Sequence, residues 1–294
     1  MAGNGAVLED FDALWDYNDP VGTGEKFRAL LPAAEAAGDA TYRAELLTQV
    51  ARAEGLSRRF EEAHRTLDEV ERELASLPPR ATVRYLLERG RVFNSSGDKG
   101  KARPLFLEAL DLARHSGEDF YAVDAAHMLG IIDPPDKQLD WHLLALQMAE
   151  RSTEARARGW QGSLYNNLGW TYHDAGDYEQ ALDMFEKALQ FRLEQGKEHE
   201  VRIARWCIAR TLRSLGRVEE ALRMQLELAD QDEAAGDPDG YIHEELGEGL
   251  LLLGFTEEAR PHFGRAYAIL SKDPWLAENE PGRLARLKEL GGLG

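Results

Sequence analysis

Pairs of small residues twelve positions apart recur along this chain at a nearly constant period. They are Ala51 with Ala63, Gly90 with Ala102, Gly169 with Ala181, Ala209 with Ala221 and Gly247 with Ala259; a degenerate pair sets Gly130 against His142. Their second members follow one another at intervals of 39, 40, 39, 40 and 38 residues. A fixed period of this size marks an array of supersecondary units, none of which can bury its apolar face alone. Other positions keep phase. Leu67, Phe106, Leu146, Phe185, Gln225 and Phe263 come four residues after the second member, and Val70, Ala109, Ala149, Ala188, Leu228 and Ala266 three further on. Gly97, Gly176, Gly216 and Gly254 come seven after the first member. Between the turns, apolar residues recur at the amphipathic-helix period, and no stretch alternates long enough to argue for a strand. Each unit therefore reads as helix, short turn, helix. The small residues let the two helices approach, aromatics fill the space beside them, and the turn glycine suits a left-handed helix end. The chain is expected to be all-α.

The most complete unit carries Tyr165, Leu168, Gly169, Tyr172, Ala181, Phe185 and Ala188. Aromatic, Leu-Gly, aromatic, Ala, Phe and Ala down two helices resembles the tetratricopeptide repeat, and Gly162 to Gln195 matches that pattern at every position. The family's usual period is about 34 residues. The longer period is similar to the repeats of kinesin light chains and of the helical domains of MalT-like regulators. The resemblance covers roughly residues 41–270 and implies an α-α superhelix, a solenoid of six to seven helix pairs. Residues 1–40 are expected to hold a degenerate N-terminal helix pair, residues 41–270 six repeats, and residues 271–294 a polar capping helix and tail. A solenoid needs such a cap over its last apolar face. The third repeat departs most: Pro134 and Pro135 break its turn and His142 replaces the small residue, so altered curvature is expected there.

With 294 residues, 43% of them hydrophobic, the chain has enough apolar material for a sizeable core. Its one cysteine, Cys207, allows no internal disulfide and fits a reducing compartment. The stretch MAGNGAVLEDFDALWDYNDP lacks the features of a secretory signal, and the longest aliphatic run, Leu250 to Leu253, is far too short to span a membrane. A cytoplasmic location is expected. A net charge of −18 repels phosphate backbones and anionic lipid, which argues against nucleic-acid and membrane partners. The charge reads equally as solvated helix faces that keep the protein soluble. Gly22 to Lys26 (GTGEK) lacks the full phosphate-loop spacing and a preceding strand. The acidic stretch Asp230 to Gly240 lacks calcium-loop spacing. The eight histidines are scattered with no H-E-x-x-H, and nothing resembles a nucleophile elbow. No catalytic residue, metal or cofactor is expected, and the chain reads as a non-enzymatic scaffold.

On each first helix, positions 4, 7, 8 and 11 face the core, which turns positions 2, 5, 6, 9, 12 and 13 to the opposite face. The resemblance implies that this face lines a concave groove. It would carry Glu45, Thr48, Gln49 and Arg52, then Arg84, Leu87, Glu88, Arg91 and Asn94, then Asp124, His127, Met128 and Ile131. Next come Ser163, Asn166, Asn167, Trp170 and His173, then Ile203, Trp206, Cys207, Arg210 and Arg213, and last Tyr241, Glu244, Glu245 and Glu248. Adjacent amides at Asn166 and Asn167 offer donors and acceptors to a peptide backbone. Arg84, Arg91, Arg210 and Arg213 suit an acidic segment or a free C-terminal carboxylate, because guanidinium binds carboxylate bidentately. Trp170 and Trp206, in adjacent repeats, are of the type that anchors interfaces. The competing reading is structural: the arginines would pair with glutamates of the next repeat and the tryptophans would pack between repeats. The function that follows is binding of a protein or peptide ligand. A regulatory sensor switched by a signalling peptide or small ligand is the alternative, an enzyme is less favoured, and a homodimer through exposed solenoid ends is a further expectation.

Overall fold

The computed structural model describes residues 8–294; residues 1–7, where the expected N-terminal pair begins, lie outside the described residues. The chain divides into two compact units, with the division between Trp160 and Gln161. In unit 1 a 3₁₀ turn, Phe11–Leu14, precedes α1 (Pro20–Ala37), α2 (Ala40–Leu56), α3 (Phe60–Glu71), α4 (Pro79–Ser95), α5 (Lys99–Ser116), α6 (Asp119–Ile132), α7 (Pro135–Arg151) and the short α8 (Ala155–Arg158). Unit 2 holds α9 (Gln161–Asp174), α10 (Tyr178–Glu194), α11 (Glu198–Ser214), α12 (Val218–Ala235), α13 (Gly240–Leu252), α14 (Thr256–Leu270), α15 (Pro274–Asn279) and α16 (Pro281–Leu290). There is no strand among the described residues. The repeats are the pairs α2/α3, α4/α5, α6/α7, α9/α10, α11/α12 and α13/α14. Each unit is a stack of antiparallel helix pairs, the α-α solenoid that the periodicity predicts. Among the described residues no helix is long and apolar enough to cross a membrane.

Local chemistry sets the helix ends. Asp19, Asp39, Asp98, Asp177 and Asp239 stand at N-caps, where each side chain accepts a hydrogen bond from a free backbone N–H of the first turn. Gly97, Gly176, Gly216 and Gly254 all take positive φ, between 77° and 91°, as their place in the repeat predicts. In the first repeat Arg58 holds the equivalent place at φ 59°, the only non-glycine with positive φ among the described residues. The third repeat uses another device. Asp133 and Pro134 are extended between α6 and α7, and Pro135 opens α7, where its missing N–H costs nothing. The Asp133 carboxylate is buried; it accepts from Arg103 Nε at 2.7 Å and from the Trp141 indole N–H at 2.8 Å.

The small residues stand where helices cross. A Cβ added to Gly90 or Gly169 would lie 2.5 Å from the ring of Phe106 or Phe185, and at Gly247 2.8 Å from Phe263. In the third repeat the ring at Gly130 is that of His142, so the residue that breaks the small-residue pattern fills the space an aromatic fills elsewhere. At the chain's end, Leu284 and Leu287 of α16 and Leu276 of α15 cover Ala259, Phe263, Ala266 and Leu270 of α14, which makes α16 the cap of the stack. At the other end the expected helix pair is a single long helix. Among the described residues only the 3₁₀ turn precedes α1, and Asp19-Pro20 starts a new helix by cap and proline. Phe27 of α1 packs instead with Leu46 and Val50 of α2.

Candidate functional site

In unit 1 the first helices α2, α4 and α6 present the residues that the helical period assigns to one face, joined from helix to helix by arginine–carboxylate pairs. Arg80 Nε of α4 donates to Glu45 Oε1 of α2 at 2.8 Å, and Arg52 of α2 donates to Glu88 of α4 at 3.2 Å. Arg91 donates to Glu88 at 2.6 Å and reaches both carboxylate oxygens of Asp124 on α6, Oδ2 at 2.6 Å. Burial disfavours the Arg91 charge, but Asp124 and Glu88 outweigh it and hold the guanidinium firmly protonated. Asn94 lines a cleft of about 220 Å³ with Arg52, Glu88, Arg91 and Met128. Thr48, Leu87 and Met128, assigned to the open face by period alone, are buried.

Arg84 is 4% exposed, and its guanidinium meets a segment from outside the repeats. Nη2 and Nη1 donate to the two carboxylate oxygens of Asp12 at 2.7 and 3.0 Å, and Nη1 also donates to Tyr121 Oη of α6 at 2.6 Å. Burial alone would raise the Asp12 carboxyl; the Arg84 bonds and charge reverse this and hold it below the ordinary carboxylate range. Arg156 of α8 approaches the same carboxylate at 3.4 Å, and its guanidinium lies 4.2 Å from the Phe120 ring centroid. A cleft of about 310 Å³ opens here, lined among others by Asp12, Glu45, Arg80, Arg84, Tyr121 and Arg156. Asp12, Tyr121 and Arg156 escaped the sequence reading: Asp12 and Arg156 stand outside the repeat frame, and Tyr121 sits at the start of α6 ahead of the positions counted. The available hint was the dense acidic and aromatic run Phe11 to Tyr17.

Unit 2 gathers Asn166, Asn167, Trp170 and His173 of α9 with Trp206, Arg210 and Arg213 of α11. Asn166 Oδ1 accepts from the Cys207 thiol at 3.6 Å, and Asn167 is half-buried. Burial pushes the Cys207 thiol up to about 12, which keeps it from acting as a thiolate. Trp170 and Trp206 lie 6.0 Å apart between ring centroids; Trp170 also meets Phe185 edge-on at 5.2 Å, and Trp206 meets Tyr241 at 6.3 Å. Both tryptophans thus pack between repeats, while Trp206 also walls a cleft of about 280 Å³ with Ile203, Tyr241 and Ile242. His173 Nε2 is 3.0 Å from Ser214 Oγ, which also accepts from Arg210 at 2.8 Å.

Arg213 grips Glu245 of α13 bidentately at 2.7 and 3.0 Å, and Arg210 Nε reaches the same carboxylate at 3.1 Å. Burial works against both charges. The Glu245 bonds overcome it at Arg213 but not at Arg210, whose affinity for its proton falls below the ordinary arginine value. One carboxylate is therefore shared unequally, and Arg210 is the less compensated cation. Glu244 and Glu248, on the same helix, pair with Arg283 and Arg286 of α16. Among the described residues no group of three or more His, Cys, Asp or Glu is placed to hold a metal ion.

Two models of the tetratricopeptide repeat match the sequence, one over residues 137–194 and one over residues 167–241. These spans take in α9 and α10, where Gly169 and Phe185 interlock, and α11 and α12. Residues 137–241 are tetratricopeptide repeats. No curated protein matches it. Its fold is similar to that of a signal-transduction ATPase with numerous domains and a tetratricopeptide-repeat sensor from Pyrococcus horikoshii, at 20% identity and a TM-score of 0.69. That likeness covers 92% of this tetratricopeptide-repeat chain and 42% of the other, so the chain spans less than half the length of that protein. The apo form of RapI is similar at 12% identity and a TM-score of 0.71, over 97% of this chain and 82% of that one. NprR in complex with its cognate peptide NprX is similar at 16% identity and a TM-score of 0.52, over 98% and 84%. At these identities the likeness is one of fold.

Proposed function

We propose that this tetratricopeptide-repeat chain is a non-enzymatic scaffold that binds protein or peptide ligands on the first-helix faces of its repeats, with arginine as the reader of a ligand carboxylate. The observation that carries the reading is the Arg84 clamp: a buried guanidinium on this face takes a carboxylate bidentately from a segment outside the repeats. The under-compensated Arg210, with Arg213, Asn166, Asn167, Trp170, His173 and Trp206 around it, offers a second cluster of the same chemistry in unit 2. Arg91 and Asn94 extend the first. A protein of similar fold, NprR, has been solved with its cognate peptide, which fits the same use of the fold. A cytoplasmic location goes with this reading. A sensor role for the bound peptide is the second reading, favoured by the fold likeness to the Pyrococcus horikoshii protein with its repeat sensor.

Selection from a random peptide-display library on the intact chain tests the proposal. Enriched peptides should carry a carboxylate, internal or C-terminal, with aromatic residues nearby, and should be lost when Arg84, Arg91, Arg210 and Arg213 are replaced by alanine in a chain whose helicity is unchanged. Enrichment that survives those substitutions, or no enrichment on any variant, would overturn it. Sedimentation of the same preparation decides whether the chain forms a homodimer.

A further inference from the structure

Residues Phe11 to Tyr17 belong to no repeat, yet they lie on the first-helix face of unit 1. Phe11 is buried and meets Tyr42 edge-on at 5.1 Å. Asp12 is held by Arg84, as described. Three residues on, one turn of a 3₁₀ helix, Trp15 lies on the same side. Its indole N–H donates to Gln49 Oε1 of α2 at 2.9 Å, and its ring stacks on Tyr17 at 4.8 Å. The Arg52 guanidinium stands 5.6 and 5.5 Å from those two rings. Gln49, Arg52 and Arg84 are residues that the helical period assigns to the face opposite the core, the proposed binding face. The segment therefore uses that face as a ligand would, through one carboxylate, one indole and cation–π contacts.

It fits the face incompletely. The 310 Å³ cleft stays open on one side of it, and a second, of about 160 Å³, lies between Trp15, Tyr17, Arg52, Glu88 and Asp124. Arg84 Nε and Arg52 Nε are buried donors with no acceptor beside this occupant. A buried donor left without a partner costs free energy that a better ligand recovers. Tyr17 is 60% exposed, so the segment's far end stands open to solvent.

We propose that Phe11 to Tyr17 is a tethered occupant of the unit 1 face, and that the partner of this face is a peptide of the same chemistry, a carboxylate followed one 3₁₀ turn later by a large aromatic, which must displace it. The inference rests on the peptide-binding reading above. A face that is open about one part in a hundred binds a competing peptide about a hundredfold more weakly than an open one. The tether thereby sets a threshold concentration for the partner.

The test uses a fluorescein-labelled synthetic peptide of residues 8–19 and the full chain with Asp12→Ala and Trp15→Ala, its fold checked by circular dichroism. The peptide should bind this variant at least about tenfold more tightly than wild type. A further Arg84→Gln change should abolish binding, and the milder Gln49→Ala should weaken it. Hydrogen exchange on unaltered protein should lose protection at residues 9–17 when a display-selected peptide is added. Equal binding to wild type and variant overturns the tether while leaving the peptide-binding reading intact, provided that Arg84→Gln abolishes it. Binding of display-selected peptides but not of the 8–19 peptide also overturns it. If no peptide binds either protein, both readings fall. A concentration-dependent dimer that the double substitution abolishes assigns the occupant to a second copy and overturns the tether.

Discussion

At Gly169 a single methyl group would meet the Phe185 ring at 2.5 Å, and the repeats are organised around that constraint. Where the first small residue is glycine a ring lies against it: Phe106, His142, Phe185 or Phe263. Where it is Ala51 or Ala209, the residue sixteen positions on is Leu67 or Gln225 and no ring is used. Gly169→Ala should therefore cost about 1–3 kcal/mol by overpacking, and Phe185→Leu should be less damaging in that background than alone; additive losses in a urea double-mutant cycle would refute the pairing. Gln225 is 1% exposed and neither of its amide atoms has a hydrogen-bond partner. Gln225→Leu, which recreates the Ala51–Leu67 pair, should gain about 1–2 kcal/mol by removing that desolvation cost. The positions themselves were legible in the sequence, because a period is visible without coordinates. That a glycine and a ring form one unit was not, since it depends on how closely two helices cross. Histidine adds a pH dependence at this scale. Burial, with smaller contributions from His142 and Arg91, lowers His127 from 6.5 to about 4. The unfolded chain takes up a proton as pH falls through 6.5 and the folded chain not until about 4. Stability is thus undiminished above 6.5 and lost progressively across that window. His127 contributes roughly 2–3 kcal/mol to the loss. His127→Gln should flatten the decline in the urea midpoint between these limits; an unchanged slope would assign the titration to other groups.

Helix ends carry the next level of specification. Four repeats place glycine in the left-handed turn, while the first places Arg58 there at φ 59° with its side chain exposed. A non-glycine residue in this region costs about 1–2 kcal/mol, part of which glycine gives back in unfolded-state entropy. Arg58→Gly should accordingly raise the thermal midpoint, by a net gain of up to about 1 kcal/mol, and a fall would show that Arg58 makes a compensating contact. Turn glycines, aspartate caps and the capping α16 all follow from local sequence, which is why the helices were legible. The N-terminal end was not. Local pattern suggests a helix pair within residues 1–40, but the aromatic run there reaches across 72 residues, from Asp12 to Arg84, and no local pattern encodes such a contact. The first-helix face was legible to the same extent: the period assigned Arg84, Arg91, Arg210 and Arg213 to one side of their helices, but left open which carboxylates they meet.

Charge acts on the molecule as a whole. The formal net charge of −18 is a long-range repulsion that dissolved salt screens, whereas the arginine–carboxylate pairs between neighbouring first helices are partly buried and screened much less. The thermal midpoint should therefore rise as sodium chloride goes from about 0.05 to about 0.5 M, over which the screening length shortens severalfold. A falling midpoint would mean that the pairs, not the net charge, govern the balance. The Asp12 clamp has a consequence in time as well as in space. On the ribosome the arginine at the far side of its site, Arg156, follows Asp12 144 residues later. At about 5–20 residues per second that is an interval of roughly seven to thirty seconds. Phe11 and Trp15 meet Tyr42 and Gln49 long before then, and Asp12 meets Arg84 in half that time, so only the second guanidinium is awaited throughout it. The clamp is complete only once α8 has been made.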